Sequence, residues 1–337
     1  MREICHNLFE EKITYSVPYL SPRNLYVLKQ PGRSLMIDTS MNQEPDRRIL
    51  FHMLEELNIR CEDLDVFITH NHPDHIGLVP DLQEKGARIL MNPDEIIHPI
   101  GLSYDYLSDV KCRDNGFRLA GVTPELTPVL YKNIMAFAEE QYKIRGKSST
   151  FSFEPVYPGG VLRYPEYHFR LVLLRGHTYG QCGLYEPDKR LFFCGDQLMT
   201  TIVPIVDSQE ADLNMLHYYL DSLLEMKSKY GHCDFLSCHF DPIRDVDAEV
   251  ERIAHSYMDK CSMMRDVLRE EGRPMTTREI SEHVYGKSGD SMNFGRYALI
   301  TMIWSKSLSC LDYLYGEGLI ERTRNDGTLF WSLKPRR

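Results

Sequence analysis

His70-Asn71-His72-Pro73-Asp74-His75 is the stretch of this chain whose residue types are most suited to chemistry. Three of the 13 histidines in 337 residues fall within these six positions, with a carboxylate between the last two. Imidazole nitrogen and carboxylate oxygen are donors that zinc takes at roughly 2.0–2.2 Å. Alternate residues of an extended segment point to opposite sides, so His70 and His72 can face one metal ion while Asp74 and His75 face another. A solvated polar turn would account for one His-x-His pair, but hardly for four donors directly after an apolar run. That run, Asp65-Val66-Phe67-Ile68-Thr69, has the β-branched and aromatic content of a short buried strand. A strand end is a rigid base from which to present ligands.

Three more donors stand in the same relation to an expected strand. His168–Leu174 leads into Gly176-His177-Thr178. Cys182–Tyr185 and Arg190–Cys194 pair across Pro187-Asp188-Lys189, and the second ends at Gly195-Asp196. Asp234–Cys238 runs into His239. Singly, His177 reads as a structural histidine, Asp196 as a turn residue and His239 as a core residue. Four strand ends carrying metal-type donors instead point to a preorganised two-metal centre. Asp38 closes another strand, where it is either a turn residue or an acceptor that holds a ligand histidine from behind.

The intervening elements are those of a layered α/β protein. Asn24–Leu28 and Ser34–Ile37 flank the turn Gln30-Pro31-Gly32-Arg33. Pro45 opens a helix with Ile49, Leu50, Met53, Leu54 and Leu57 on one face. A helix is expected from Ile76 to Lys85, then a strand at Arg88–Met91. Another helix, with Leu213, Leu216, Leu220, Leu223 and Leu224 on one face, runs toward Tyr230 and stops at Gly231. Residues 93–160 interrupt the rhythm with Tyr104, Tyr106, Phe117, Tyr131, Phe137 and Tyr142, a helical insertion suited to packing, a dimer contact or a lid.

On these motifs residues 13–245 resemble the metallo-β-lactamase-fold hydrolase superfamily, which includes glyoxalase II-like enzymes. The resemblance implies an αββα sandwich with the metal site along one edge. It implies that His70, His72 and His177 bind the first ion, that Asp74, His75 and His239 bind the second, and that Asp196 bridges them. The family usually has Gly-His-Gly where Cys238-His239-Phe240 stands, and often a histidine at the place of Gln181. Pro73 replaces the ligand glutamate of the di-iron flavoprotein branch, which argues against oxygen or nitric oxide reduction. Two divalent ions, zinc first with iron and manganese as alternatives, would share a water whose pKa falls toward ~7. The resulting hydroxide would attack a carbonyl or phosphoryl centre, with Asp74 as the catalytic group that orients the water or takes its proton.

Composition narrows the class. Hydrophobic residues at 42%, charged residues at 26% and a net charge of −10 describe a globular chain unsuited to coating nucleic acid. Nine cysteines without C-x-x-C spacing read as reduced thiols, and Met1–Glu11 lacks a signal peptide's apolar core, so a cytoplasmic, membrane-free protein is expected. After the hydrolase domain (1–245), a connecting helix (246–271) precedes residues 272–337, whose helices and Asn325-Asp326-Gly327 hairpin resemble a winged-helix domain, as carried by lactamase-like endoribonucleases. This segment holds 10 Lys and Arg against 7 Asp and Glu. Its would-be recognition helix, Ser307–Tyr315, carries Asp312 and no basic residue, although Arg322, Arg324, Arg336 and Arg337 could touch phosphates. Packing or a homodimer contact, with Trp304 and Trp331 in a core, is the favoured role. The expected function is hydrolysis of a small-molecule ester, thioester or lactone. The alternatives are a phosphodiesterase or endoribonuclease, and a ligand-responsive DNA-binding regulator.

Overall fold

Every residue of the strands Arg23–Leu28, Ser34–Ile37 and Leu64–Ile68 is buried, the mark of strands covered on both faces. The computed structural model describes residues 1–14, 21–96, 103–104, 115–145, 151–206, 208, 211–286 and 294–334. The chain divides into two units. The first, Met1–Asp105 with Lys147–Pro204 and Ser222–Val250, contains strands β1 (Arg2–Cys5), β2 (Leu8–Ile13), β3 (Arg23–Leu28), β4 (Ser34–Ile37), β5 (Leu64–Ile68) and β6 (Arg88–Met91). A short separate pair follows, β7 (Ser103–Tyr104) with β8 (Phe151–Ser152), and then β9 (Glu154–Pro155). The large sheet has the order β1-β2-β3-β4-β5-β6-β9, antiparallel from β1 to β4 and parallel from there on. The second sheet is β10 (Val161–Tyr164), β11 (Tyr167–Leu173), β12 (Cys182–Glu186), β13 (Leu191–Gly195) and β14 (Asp234–Ser237), in that order.

Side-chain alternation explains the layers. Leu25, Val27, Met36, Val66 and Ile68 share a core with Leu50, Met53 and Leu54 of helix α1 (Glu44–Glu56) and Leu82. Their neighbours Tyr26, Leu28, Leu35, Ile37 and Phe67 point the other way and meet Phe169, Leu171, Leu184 and Phe193 of the second sheet. On the far side of that sheet, Tyr185 and Phe192 stack near Tyr230, with ring centroids 4.9 and 4.7 Å away. The architecture is helix, sheet, sheet, helix, as expected.

Two local expectations need correction. The helix foreseen over residues 76–85 is two short pieces, α2 (Pro73–Ile76) and α3 (Val79–Glu84). The chain at 40–42 crosses the break so closely that a Cβ on Gly77 would lie 2.5 Å from both Asn42 N and Ser40 O. In the helix Met215–Glu225, Leu224 is exposed, and the buried apolar side chains are Met215, Leu216, Tyr219 and Leu223, with Met226 just beyond. The β1–β2 hairpin was not anticipated.

The second unit comprises Tyr106–Gly146, Ile205–Asp221 and Glu251–Arg337. The helix Val246–Glu271 therefore begins in the first unit and continues in the second. Residues 115–145 of the aromatic segment, including the helix Pro128–Arg145, belong here: Phe117, Ala120, Val122 and Ile134 pack with Ile300 and Trp304. Tyr106, Arg336 and Arg337 lie outside the described residues, as do the side chains of Tyr104, Phe137 and Tyr142. The helices Thr277–Tyr285 and Phe294–Gly316 accompany β15 (Met275–Thr276), β16 (Ile320–Asn325) and β17 (Thr328–Leu333), ordered β15-β17-β16. Thr276 and Glu279 form a reciprocal capping box. Trp331 is buried and donates to Thr277 Oγ1 at 2.9 Å. Arg322, one of the arginines that could touch phosphates, is engaged within the unit. It pairs with Asp212 at 2.5 Å and Asp312 at 3.1 Å and lies over the Tyr315 ring. No helix among the described residues is long and apolar enough to cross a membrane.

Phe67 tests the sandwich. Phe67→Ala should destabilise by about 3–5 kcal/mol, whereas the exposed Leu224→Ala should cost less than about 0.5 kcal/mol. Urea melts of both variants check the contrast.

Candidate metal centre

Three imidazoles converge from two loops. His72 Nδ1 lies 3.1 Å from His70 Nε2, and His177 Nε2 lies 3.2 and 3.0 Å from these two atoms, His70 first. A tetrahedral ion with Zn–N bonds of 2.0–2.1 Å separates neighbouring donors by roughly 3.3 Å, close to the edges of this triangle. His70 and His177 are buried and His72 is half-buried, so the cluster is open on the His72 side.

A second cluster adjoins it. His239 Nε2 is 3.3 Å and His75 Nε2 3.8 Å from Asp74 Oδ2. Asp196 Oδ2 is 3.3 Å from His75 Nε2 and 3.4 Å from His239 Nε2, and 3.9 and 3.8 Å from Nε2 of His70 and His177. All seven donors singled out in the sequence are thus brought together, with one carboxylate oxygen between the two clusters. His75 Nε2 and Asp196 Oδ1 are buried without a hydrogen-bond partner. Native interiors seldom leave such atoms unpaired, and the arrangement fits a metal ion.

The neighbours set which nitrogen each histidine offers. Asp38 Oδ2 accepts from His75 Nδ1 at 2.9 Å, from Thr69 Oγ1 at 2.8 Å and from the Cys238 thiol at 3.1 Å. Oδ1 accepts from Thr69 N–H at 2.7 Å. With its proton given to Asp38, Thr69 Oγ1 must accept from His70 Nδ1 at 3.0 Å. Both Nδ1 atoms are thereby protonated and both Nε2 atoms are turned to the centre. Asp38 adopts φ 58°, a left-handed conformation that short polar residues tolerate best. Gly195, at φ 54°, precedes Asp196; a Cβ there would lie 3.0 Å from Gln181 Oε1 and 3.2 Å from Thr69 Oγ1.

Sequence reasoning missed three supporting residues. Glu95 is buried and accepts from Thr178 Oγ1 at 2.6 Å, Gly180 N–H at 2.7 Å and Asn71 N–H at 2.8 Å, clamping the His70–His75 loop to the His177 loop. Gln197 Oε1 accepts from Gln181 Nε2 at 2.9 Å and His177 N–H at 3.4 Å, while Gln181 Oε1 accepts from Asp196 N–H at 3.3 Å. Arg23, also buried, pairs with Asp74. Each is distant in sequence from what it holds, so no local pattern reveals it.

Burial disfavours charge, and the partners decide where charge survives. Burial and the imidazoles of His75, His72 and His177 hold His70 well below the usual histidine range. For Asp74, burial is outweighed by Arg23, His75 and His239, which keep it ionised. Asp196 is likewise ionised against burial, through His239 and His75. Burial opposes the His75 imidazolium, but Asp196, Asp38 and Asp74 raise it to about 10. Burial lifts Glu95 to about 6 despite its three donors.

The sheet order, the paired cores and donors gathered at strand ends define the metallo-β-lactamase fold. Residues 18–111 match the model of the metallo-beta-lactamase superfamily. A metallo-beta-lactamase family protein from Thermus thermophilus is similar in structure, with TM-score 0.73 at 22% identity, over 98% of this chain and 100% of that one. A beta-lactamase domain protein from Burkholderia ambifaria is similar with TM-score 0.75 at 19% identity, over 99% of this chain and 93% of that one. The likeness in fold therefore extends through the C-terminal residues. No curated protein matches the sequence.

The raised His75 gives a pH prediction. In the metal-free protein, His75 contributes stability that is fully present below its ordinary 6.5 and lost as pH rises through about 10. A metal on Nε2 must displace that proton. Affinity should therefore rise between about pH 6 and pH 8, by about tenfold per unit for each proton displaced. Chelator competition across that range measures it; a pH-independent affinity would remove His75 from the donors.

Proposed function

We propose that this chain is a hydrolase working with two divalent ions, zinc first, that cleaves a small-molecule ester, thioester or lactone. The observation that carries this reading is the position of Asp196 Oδ2, 3.3–3.4 Å from two nitrogens of one cluster and 3.8–3.9 Å from two of the other. His70, His72 and His177 would hold one ion, Asp74, His75 and His239 the second, with Asp196 between them. When bound, such a pair supplies Lewis acidity and lowers the pKa of water toward ~7.

The chain's own groups do the rest. Asp38 and Thr69 lock the Nδ1 protons of His75 and His70, so no rotation is needed when substrate arrives. Asp74, ionised and fixed by Arg23, can orient a water at its carboxylate or take its proton. Glu95 keeps the two histidine loops in register, and the half-buried His72 marks the side from which substrate enters. The paired Arg322 leaves the C-terminal unit with less to offer a phosphate backbone, which supports a small substrate.

The test is hydrolysis by metal-loaded protein of thioesters, lactones, carboxyl esters, bis-p-nitrophenyl phosphate and single-stranded RNA. Turnover confined to carbonyl substrates is expected. Asp74→Ala should lose about 10²-fold or more while circular dichroism stays native. Unchanged kinetics in that variant would sink the site, and turnover confined to phosphodiesters would replace the reading with a nuclease.

A further inference from the structure

Arg23 stands at the start of β3 and is buried to within a few per cent of its surface. Its Nη1 donates to the Thr39 carbonyl at 3.3 Å, and its Nη2 contacts Asp74 Oδ2. That same oxygen lies 3.3 Å from His239 Nε2 and 3.8 Å from His75 Nε2, so it is shared between the guanidinium and the second cluster. The backbone leaves Arg23 little freedom. It forms a β-bridge with His239, and Asn24 N–H donates to the Cys238 carbonyl at 2.7 Å. A guanidinium does not lose its proton in a protein, and burial leaves little water to screen it. The groups around His70 are the imidazoles of His72, His75 and His177, the Thr69 hydroxyl and the Asp196 carboxylate, and His75, whose ring centroid is 3.9 Å away, is shared with the second cluster.

We infer that Arg23 is a built-in cation that weakens the second cluster for metal, so that the ions bind in order, first at His70, His72 and His177 and then at Asp74, His75 and His239. This rests on the two-metal reading above. Without Arg23, the second cluster would present Asp74 with no guanidinium beside it, next to the shared Asp196, and would draw a divalent ion at least as strongly as the three-histidine cluster. With it, Asp74 is already half-satisfied, and the second ion must approach a fixed positive charge. The first ion then stays while the second exchanges.

The experiment is titration of metal-free protein with Zn2+ against a chromophoric chelator, and with Co2+ followed by its visible absorption. Wild type should bind in two separated steps, and the first equivalent of Co2+ should develop the spectrum of one coordination type before the second appears. Arg23→Gln should tighten the second step relative to the first by about tenfold or more, and Arg23→Lys should keep the separation. A looser second step in Arg23→Gln would show that Arg23 serves to position Asp74 and would overturn the inference. Removing one partner of a buried pair can unfold a protein. The wild-type Co2+ titration therefore stands alone: two ions entering at once overturn this inference and leave the two-metal reading intact. Uptake of fewer than two ions overturns both.

Discussion

Ionisable groups can be buried only where each meets an opposite charge, a hydrogen bond or a metal, and the edge of the sandwich is built around that constraint. Four buried imidazoles, three buried carboxylates and a buried guanidinium meet there: His70, His75, His177, His239, Asp38, Asp74, Asp196 and Arg23. Arg23 compensates Asp74, and His75 stands between Asp38 and Asp196. The atoms left over, His75 Nε2 and Asp196 Oδ1, point to where a cation completes the balance.

Such compensation needs positions fixed to fractions of an ångström, and loops alone do not supply them. The sandwich does. Phe67 points into the intersheet core while Val66 and Ile68 point to the helix layer, so β5 cannot slip by one residue without reversing every side chain. β13 and β14 run parallel with Leu191 opposite Asp234 and Phe193 opposite Leu236, which brings Asp196 and His239 out at the same end. Glu95 then ties two loops that the strands leave otherwise independent.

This division explains what could be read from the sequence. The convergence of the seven candidate donors was legible because they sit at or just after strand ends whose apolar runs are a local signal, and so were α1, β6 and the helix Val246–Glu271. Other features depended on contacts remote in the chain. The break at Gly77 comes from the backbone at 40–42. The clamp at Glu95 and the cation at Arg23 leave no periodicity of their own. The outward turn of Leu224 reflects the phase of its helix, which leucine spacing alone mis-set by a fraction of a turn. Asp38 could be placed at a strand end, but only its bonds to His75, Thr69 and Cys238 distinguish a ligand-holding carboxylate from a turn residue.

The same reasoning bears on the aromatic segment, whose composition suits packing, a dimer contact or a lid. Phe117 lies 5.9 Å from Trp304 in an edge-on contact, and Arg118 donates to Tyr131 Oη at 3.3 Å. These aromatics are spent on the core of the second unit rather than displayed. Asp312 and Arg322, on the would-be recognition helix and on β16, are likewise committed to each other, and Asp312 also accepts from Asn214 N–H at 2.9 Å. A residue type that could recognise a ligand does so only where the fold leaves one of its donor or acceptor atoms uncommitted. By that criterion the candidate metal edge, where His75 Nε2 and Asp196 Oδ1 lie buried without a hydrogen-bond partner, is the place suited to the proposed chemistry, while these parts of the second unit are occupied with holding themselves together.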